Sequence, residues 1–310
     1  MTDLHAPSPG ARSVRPTGST DAPLDARCPV ADVLALGLHS PALAAGFQPV
    51  DAVAASSSQQ VLESLSDRGG PDRPVLAVYP AWSREPVRHW VKVARTAIDP
   101  FEIVVYESTL PPAGSAVLAT LAGTLARHAA SPGALLSLLP VVERQLQVVT
   151  LLTAVHKLSD PNPTLVQHAS SVAGSHSFAA VYSGKDRRIV TLKRSGYDLG
   201  LPEPSFSAAV HVATGQADPM WMYGMLESYY PHARVGLDDD AQDPHAFWGG
   251  SPWIEAVIYP SELNSLIQLE RSARALVACR WCGTAGPPTG RVCQFCGVAL
   301  SPQSLLGDQA

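Results

Sequence analysis

The sequence predicts an α/β (or α+β) main domain with a βαβ unit and apolar helices, followed by a small cysteine-rich C-terminal module. Three observations carry this. Two short apolar runs, Pro74 to Tyr79 and Phe101 to Tyr106, flank a stretch with helical periodicity. Apolar segments of helical length follow at 113–130 and 133–158. Four of the five cysteines lie between Cys279 and Cys296. A strand, a helix and a strand in so few residues favour a parallel pair, because parallel strands need a crossover.

Composition excludes several classes. The 310 residues are 46% hydrophobic and 16% charged, against about 25% charged in ordinary soluble domains. That balance argues against an acidic disordered chain, and 28 prolines argue against a coiled coil. A net charge of −5 supplies no protein-wide field for holding nucleic acid. Met1 to Arg27 lacks the apolar core of a signal peptide. No apolar run approaches the roughly 18 residues of a membrane span. The expected setting is therefore cytoplasmic, where clustered cysteines favour metal over disulfides.

The elements follow in order. Residues 1–27, rich in Pro, Ser, Thr, Gly and Arg, read as a disordered tail. The main domain spans 28–270. Val33, Leu34, Leu36, Leu38, Leu43 and Ala44 suggest one or two short helices broken near Pro41. Ser58 to Asp67 is helical and stops at Arg68-Gly69-Gly70-Pro71. Between the two apolar strands, Glu85 to Ile98 places Val87, Trp90, Val91, Ala94, Ala97 and Ile98 on one face. Pro140 is expected to kink or split the segment 133–158. A helix from Thr164 to Ala173 follows Asn162-Pro163. Phe178 to Tyr182 and Arg188 to Lys193 read as hairpin arms around Ser183-Gly184-Lys185-Asp186. Ser207 to Ala213 is a strand and Ser261 to Leu276 a helix. Residues 214–260 concentrate Trp221, Tyr223, Tyr229, Tyr230, Phe247, Trp248, Trp253 and Tyr259. They suit core packing first, and a ligand pocket or partner surface second.

Cys279, Cys282, Cys293 and Cys296 form C-x2-C-x10-C-x2-C, with Gly283 and Gly297 after the second cysteine of each pair. A two-residue spacer lets one turn present two thiolates to a tetrahedral zinc at about 2.3 Å. The glycines suit the chain reversal past the sulfur. Gly286-Pro287-Pro288 and Gly290 read as a hairpin tip between the pairs. The paired CxxCG knuckles resemble the zinc ribbon family over residues 277–299. The module is assigned 271–300, including the end of its lead-in helix, with 301–310 as a tail. Four thiolates leave no open position, so one structural Zn2+ is expected; an iron centre uses the same ligand set. The resemblance implies nucleic-acid machinery, protein docking or stapling of a terminus. Arg271, Arg274, Arg280 and Arg291, with no Asp or Glu from 271 to 307, make the module mildly basic. Trp281 and Phe295 suit packing over the knuckles more than base stacking.

Other candidates carry weaker patterns. Arg84, Arg88, Lys92 and Arg95 share one side of the 85–98 helix and could bind an anion or a partner, although such rows are usually solvated faces. His89 lies beside them. Asp238, Asp239, Asp240 and Asp243 with His245 could hold a divalent cation but lack EF-hand spacing. Gly184-Lys185 fails as a phosphate loop because Ala179 stands where glycine is needed. Cys28 has no recognisable histidine partner, and the ten histidines form no metal spacing, though His128, His156, His168 and His176 could converge. No G-x-S-x-G, H-E-x-x-H or G-x-G-x-x-G is present.

The leading expectation is an adaptor or regulatory protein that docks protein partners through its zinc ribbon. The second is an enzyme with a pocket beyond the carboxyl ends of the 74–79 and 101–106 strands, where Tyr79, Trp82, Glu107, Ser108 and Thr109 gather by the rule for open parallel sheets. The third is a nucleic-acid-binding protein using the ribbon and the 85–98 helix. Metal analysis of the purified protein should return about one zinc per chain, with the metal supplying most of the module's folding energy. A metal-free, fully folded protein would refute the ribbon.

Overall fold

The computed structural model describes residues 29–39, 41, 43, 47–53, 58–68, 74–97, 103–129, 131–174, 176–192, 198–215, 217–218, 220–238, 247–262, 277–279, 285–286 and 293. Short apolar runs bounded by turn residues form the centre of a parallel sheet. Its strands β1 (Asp32–Leu36), β2 (Asp51–Val53), β3 (Val75–Pro80) and β4 (Ile103–Ser108) lie in the order β2-β1-β3-β4. All pairs are parallel, with Tyr79 opposite Glu107 and Pro80 opposite Ser108. A single 3-10 turn, Ala81–Ser83, leads from β3 into α2 (Arg84–Ala97), which crosses to β4. The expected βαβ unit is present.

The faces of this sheet are covered differently. Leu34, Leu36, Val75, Ala77 and Ile103 bury against Val87, Val91 and Ala94 of α2 and Val61 and Leu65 of α1 (Ser58–Ser66). The alternate residues Ala35, Leu76, Val78 and Val104 face α3 (Pro112–Leu125). α3 is apolar on nearly every side, and all its residues except Gly123 are buried. A helix without a polar face must be enclosed, and a second sheet encloses it.

That sheet comprises β5 (Gln147–Leu152), β6 (Ser177–Ser183), β7 (Asp186–Leu192), β8 (Ala208–Thr214), β9 (Arg234–Asp238) and β10 (Trp253–Pro260), in the order β7-β6-β5-β10-β8-β9. Only β8 and β9 run parallel. Val148, Leu152, Phe178, Trp253 and Val257 face α3 and α4 (Pro132–Gln145). Val149, Leu151, Val210, Val212, Ile254 and Ile258 face α6 (Met220–Tyr229) on the outer side. The first turn of α3 presses on β5, so that a Cβ at Gly114 would stand 2.8 Å from Val148 Cγ2.

Several expectations are corrected. Residues 32–36 form β1 and not a helix; in so short an apolar run, helical and strand spacing coincide. The segment 133–158 is α4 followed by β5, and the change takes a single residue, Leu146, at φ −70° and ψ 138°. Pro140 does not split α4, which continues to Gln145. Its buried neighbours Leu136, Leu139 and Val142 hold the turn in the core and offset the lost hydrogen bond. The hairpin of β6 and β7 and the helix α5 (Leu165–Val172) stand where expected, α5 with a capping box between Thr164 and Gln167. The expected helix 261–276 and both tails lie outside the described residues.

At the C-terminus, β11 (Val277–Ala278) pairs antiparallel with β12 (Ala285–Gly286). β12 packs against α4. Cys279 and Cys293, one from each knuckle, are buried in the same cluster as α3 and α4. Cys282 and Cys296 lie outside the described residues. No helix among the described residues is long and apolar enough to cross a membrane.

Gly114→Ala tests the contact between α3 and β5. Alanine gains about 1 kcal/mol of helix propensity, but the crowding against a stiff strand valine costs about 1–3 kcal/mol. Net destabilisation is the expected outcome, read as a lower midpoint in thermal unfolding.

Candidate functional site

The carboxyl ends of β3 and β4 gather polar side chains, as the topological rule requires. The Tyr79 hydroxyl donates to Glu107 Oε2 at 3.1 Å. Arg84, the first residue of α2, donates through Nε to the same oxygen at 2.8 Å and through Nη2 to Oε1. Arg88 Nη2 stands 3.9 Å from Oε2. Burial works against the charge on Glu107, but Arg84, Tyr79 and Arg88 outweigh it and hold the carboxyl below the usual range. Both oxygens of Glu107 are occupied, which suits an anchor better than a general base. The predicted basic row is likewise divided, because Arg95 Nη2 donates to the Ile103 carbonyl at 2.7 Å, while Arg88 and Lys92 remain exposed.

The chain then enters the β4–α3 junction. Ser108 is fully buried, and Ser115 Oγ donates in a shared bond to Ser108 Oγ (2.9 Å) and the Leu110 carbonyl (2.8 Å). The Leu110 N–H donates back to Ser108 Oγ at 3.3 Å. Thr109 points the other way and donates through N and Oγ1 to Glu143 Oε1 of α4, both at 2.7 Å. These bonds fix where α3 begins.

Glu255 meets that beginning from the second sheet. It lies at the centre of β10 with no exposed surface, and its Oε1 accepts from the Gly114 N–H at 2.9 Å. Burial pushes its carboxyl up to about 8, against the backbone N–H groups of Gly114 and Ala113 and the Trp248 indole, which favour the charged form. A carboxyl at a helix N-terminus satisfies donors that have no partner within the helix. Here it also ties one sheet to the helix of the other.

Around Glu255 several polar atoms have no hydrogen-bond partner: its own Oε2, Thr150 Oγ1, Trp248 Nε1 and Trp253 Nε1. Thr150 is the direct cross-strand neighbour of Glu255 on β5. Trp253 lies two residues before it and so on the same face. The Trp248 indole faces the carboxyl without completing a hydrogen bond. A Cβ on Gly215 would lie 2.3 Å from Trp253 Nε1, so only glycine admits that ring. His211, two residues from the Ala213 that pairs with Glu255, is buried on this face too. Buried groups left unpaired are rare in proteins and call for a physical account.

A run of aromatic rings leads from this centre to the surface. Trp248 is 1% exposed. Phe247 packs edge-on against it at 4.6 Å between centroids, and Trp82 packs on Phe247 at 4.6 Å. Trp82 is 39% exposed. The structure thus places Tyr79, Trp82, Glu107, Ser108 and Thr109 together at the strand ends. It adds Glu255, Thr150, Trp248 and Trp253 beneath them. The signal for Glu255 in the sequence is its place as the lone charge in WIEAVIYP.

The remaining candidates fall elsewhere. His156 and His168 pack edge-on at 6.2 Å, and no group of three or more metal-ligating residues occurs among the described residues. Asp238 ends β9; Asp239, Asp240, Asp243, His245 and Cys28 lie outside the described residues.

No family model and no curated protein matches the chain. Solved structures do. A DegV family protein from Corynebacterium glutamicum is 15% identical with a TM-score of 0.53, covering 76% of this chain and 97% of that one. A DegV family protein from Eubacterium eligens, loaded with heptadecanoic acid, is 10% identical with a TM-score of 0.48, covering 66% and 78%. The fatty acid kinase B3 protein from Streptococcus pneumoniae, loaded with linoleic acid, is 11% identical with a TM-score of 0.48, covering 74% and 98%. The fold is an α/β fold with one parallel and one mixed sheet, and it is DegV-like.

The raised Glu255 carboxyl makes stability depend on pH. Between an ordinary 4.5 and about 8, the folded chain holds a proton that the unfolded chain has lost, so stability falls as pH rises through this window. The loss across the whole window is on the order of 5 kcal/mol at about 1.4 kcal/mol per unit. Denaturant unfolding from pH 5 to pH 9 should show this decline, and Glu255→Gln should flatten it. A decline of the same size in the variant would place its origin elsewhere.

Proposed function

We propose that the chain binds a long-chain carboxylic acid, its head group taken by the polar atoms around Glu255 and its tail held among the apolar side chains between the two sheets. The unpaired buried donors at the start of α3 carry this reading. Thr150 Oγ1, Trp248 Nε1 and Trp253 Nε1 can all donate. With its carboxyl raised to about 8, Glu255 is protonated at neutral pH and adds a fourth donor. An ionised carboxylate only accepts, at about four positions, and it enters a protein interior only where donors meet it. The donor excess and the acceptor-only head are complementary. α3 and the inner faces of both sheets offer the tail an apolar layer. The rings from Trp82 to Trp248 mark the way in.

This reading takes the place of the adaptor expected from the sequence. That expectation turned the cysteine module outward, whereas Cys279 and Cys293 are buried in the main core and β12 packs on α4. A structural zinc on Cys279, Cys282, Cys293 and Cys296 remains part of the proposal. Thiolates delivered from two knuckles into one buried cluster fit such a centre, whose role is then to staple the terminus to α4.

Heptadecanoic and linoleic acids are suitable probes, with delipidated protein followed by calorimetry and tryptophan fluorescence. One acid per chain should bind and perturb the emission of Trp248 and Trp253. Thr150→Val, which keeps shape and removes one donor to a charged group, should weaken binding by about 10-fold or more. The methyl esters should bind poorly. Affinity should fall above about pH 8 as Glu255 ionises beside the ligand, and Glu255→Gln should remove that fall. Absence of saturable binding by either acid would sink the proposal.

A further inference from the structure

The β4–α3 junction has an outer side as well as an inner one. There a cavity of about 480 Å³ opens between the junction, α4 and the β6–β7 hairpin. Its size falls within the roughly 300–1,000 Å³ of small-molecule sites. Leu110, Pro140 and the Tyr182 ring form an apolar wall, and Arg144, Lys185 and Arg187 supply cations. The turn that carries Lys185 depends on Gly184 at φ +63°, a conformation that suits glycine in a tight hairpin.

The charges in the cavity are not equivalent. Glu143 also lines it, but its oxygens accept from the Tyr106 hydroxyl and from Thr109 N and Oγ1. Arg187 is held by Asp160 at 2.9 Å and lies over the Tyr182 ring. Arg144 and Lys185 have no carboxylate partner among the described residues, and both are exposed. Two unspent cations beside an apolar wall, on a chain of net charge −5, are a local inversion of the overall charge. A planar guanidinium with a mobile ammonium suits the oxygens of a phosphate.

We propose that this cavity binds a phosphate monoester with an apolar body, Arg144 and Lys185 taking the phosphate and Leu110, Pro140 and Tyr182 the body. The charge of about −1.5 to −2 on such a group at neutral pH matches the two cations. Its two cations play no part in the acyl site, although Leu110 and Tyr182 back onto the same apolar layer, and the proposal does not rest on acyl binding.

Phenyl phosphate and inorganic phosphate, titrated into the full chain at low salt, provide the test. Phenyl phosphate should saturate and bind at least about 5-fold tighter than inorganic phosphate, because only it reaches the apolar wall. The double variant Arg144→Ala/Lys185→Ala should lose about 10-fold or more of that affinity. Its thermal midpoint and its heptadecanoate binding should stay unchanged, since both side chains are exposed and neither bonds to Glu255 or Thr150. No saturable binding, equal affinity for the two probes, or binding indifferent to the double substitution would each overturn the proposal. Failure of heptadecanoate to bind would bear only on the acyl site.

Discussion

The fold turns on one contact, the hydrogen bond from the Gly114 N–H of α3 to the carboxyl of Glu255 on β10. α3 is an apolar helix that two sheets must enclose. Hydrophobic burial supplies the adhesion of the three layers but little registration, because it is non-directional. The Glu255 bond is directional and comes from the sheet opposite the one that precedes α3 in the chain. It fixes how far along its axis the helix sits between the layers. The close approach of Gly114 to Val148 is what brings the donor within reach.

Around this contact the β4–α3 junction divides labour between neighbouring residues. Ser108 turns inward to Ser115 and the first turn of α3. Thr109 turns outward and clamps Glu143 of α4. Alternation along an extended chain gives adjacent residues opposite faces, so one short segment serves two sides of the layer. The acyl site and the outer cavity lie on either side of this wall, their polar groups distinct: Glu255 and Thr150 on one, Arg144 and Lys185 on the other.

The β3–α2–β4 unit was legible because its signals agree at every level: apolar runs, an amphipathic helix and turn residues at the borders. From it, the general rule for parallel sheets brings Tyr79, Trp82, Glu107, Ser108 and Thr109 together on sequence alone. The α4–β5 boundary was not legible, since Leu146 passes from helical to extended backbone with no Gly or Pro beside it, and Glu143, Arg144, Gln145 and Gln147 interrupt the apolar stretch only briefly. β1 was misread because Val33, Leu34 and Leu36 fit either period. The inner half of the site stayed hidden for another reason. Thr150 and Glu255 come from strands more than 100 residues apart in sequence and meet only through the register of β5 and β10, which no local pattern encodes.

The two acidic side chains nearest this site are tuned in opposite directions by what surrounds them. Glu107 is half-buried and receives Arg84, Arg88 and Tyr79, so its carboxyl stays charged and fully engaged. Glu255 is fully buried and receives one formed backbone hydrogen bond, so burial prevails and its carboxyl is neutral at pH 7. Environments that push carboxyl groups apart assign them different work. The charged one holds the carboxyl ends of β3 and β4 to α2. The neutral one keeps a proton to donate, and only a neutral carboxyl can stand beside the carboxylate of a ligand without repelling it. Had the guanidinium of Arg84 reached Glu255 instead, the same fold would carry a buried ion pair at the start of α3, with the Glu255 proton gone and the donor set short by one.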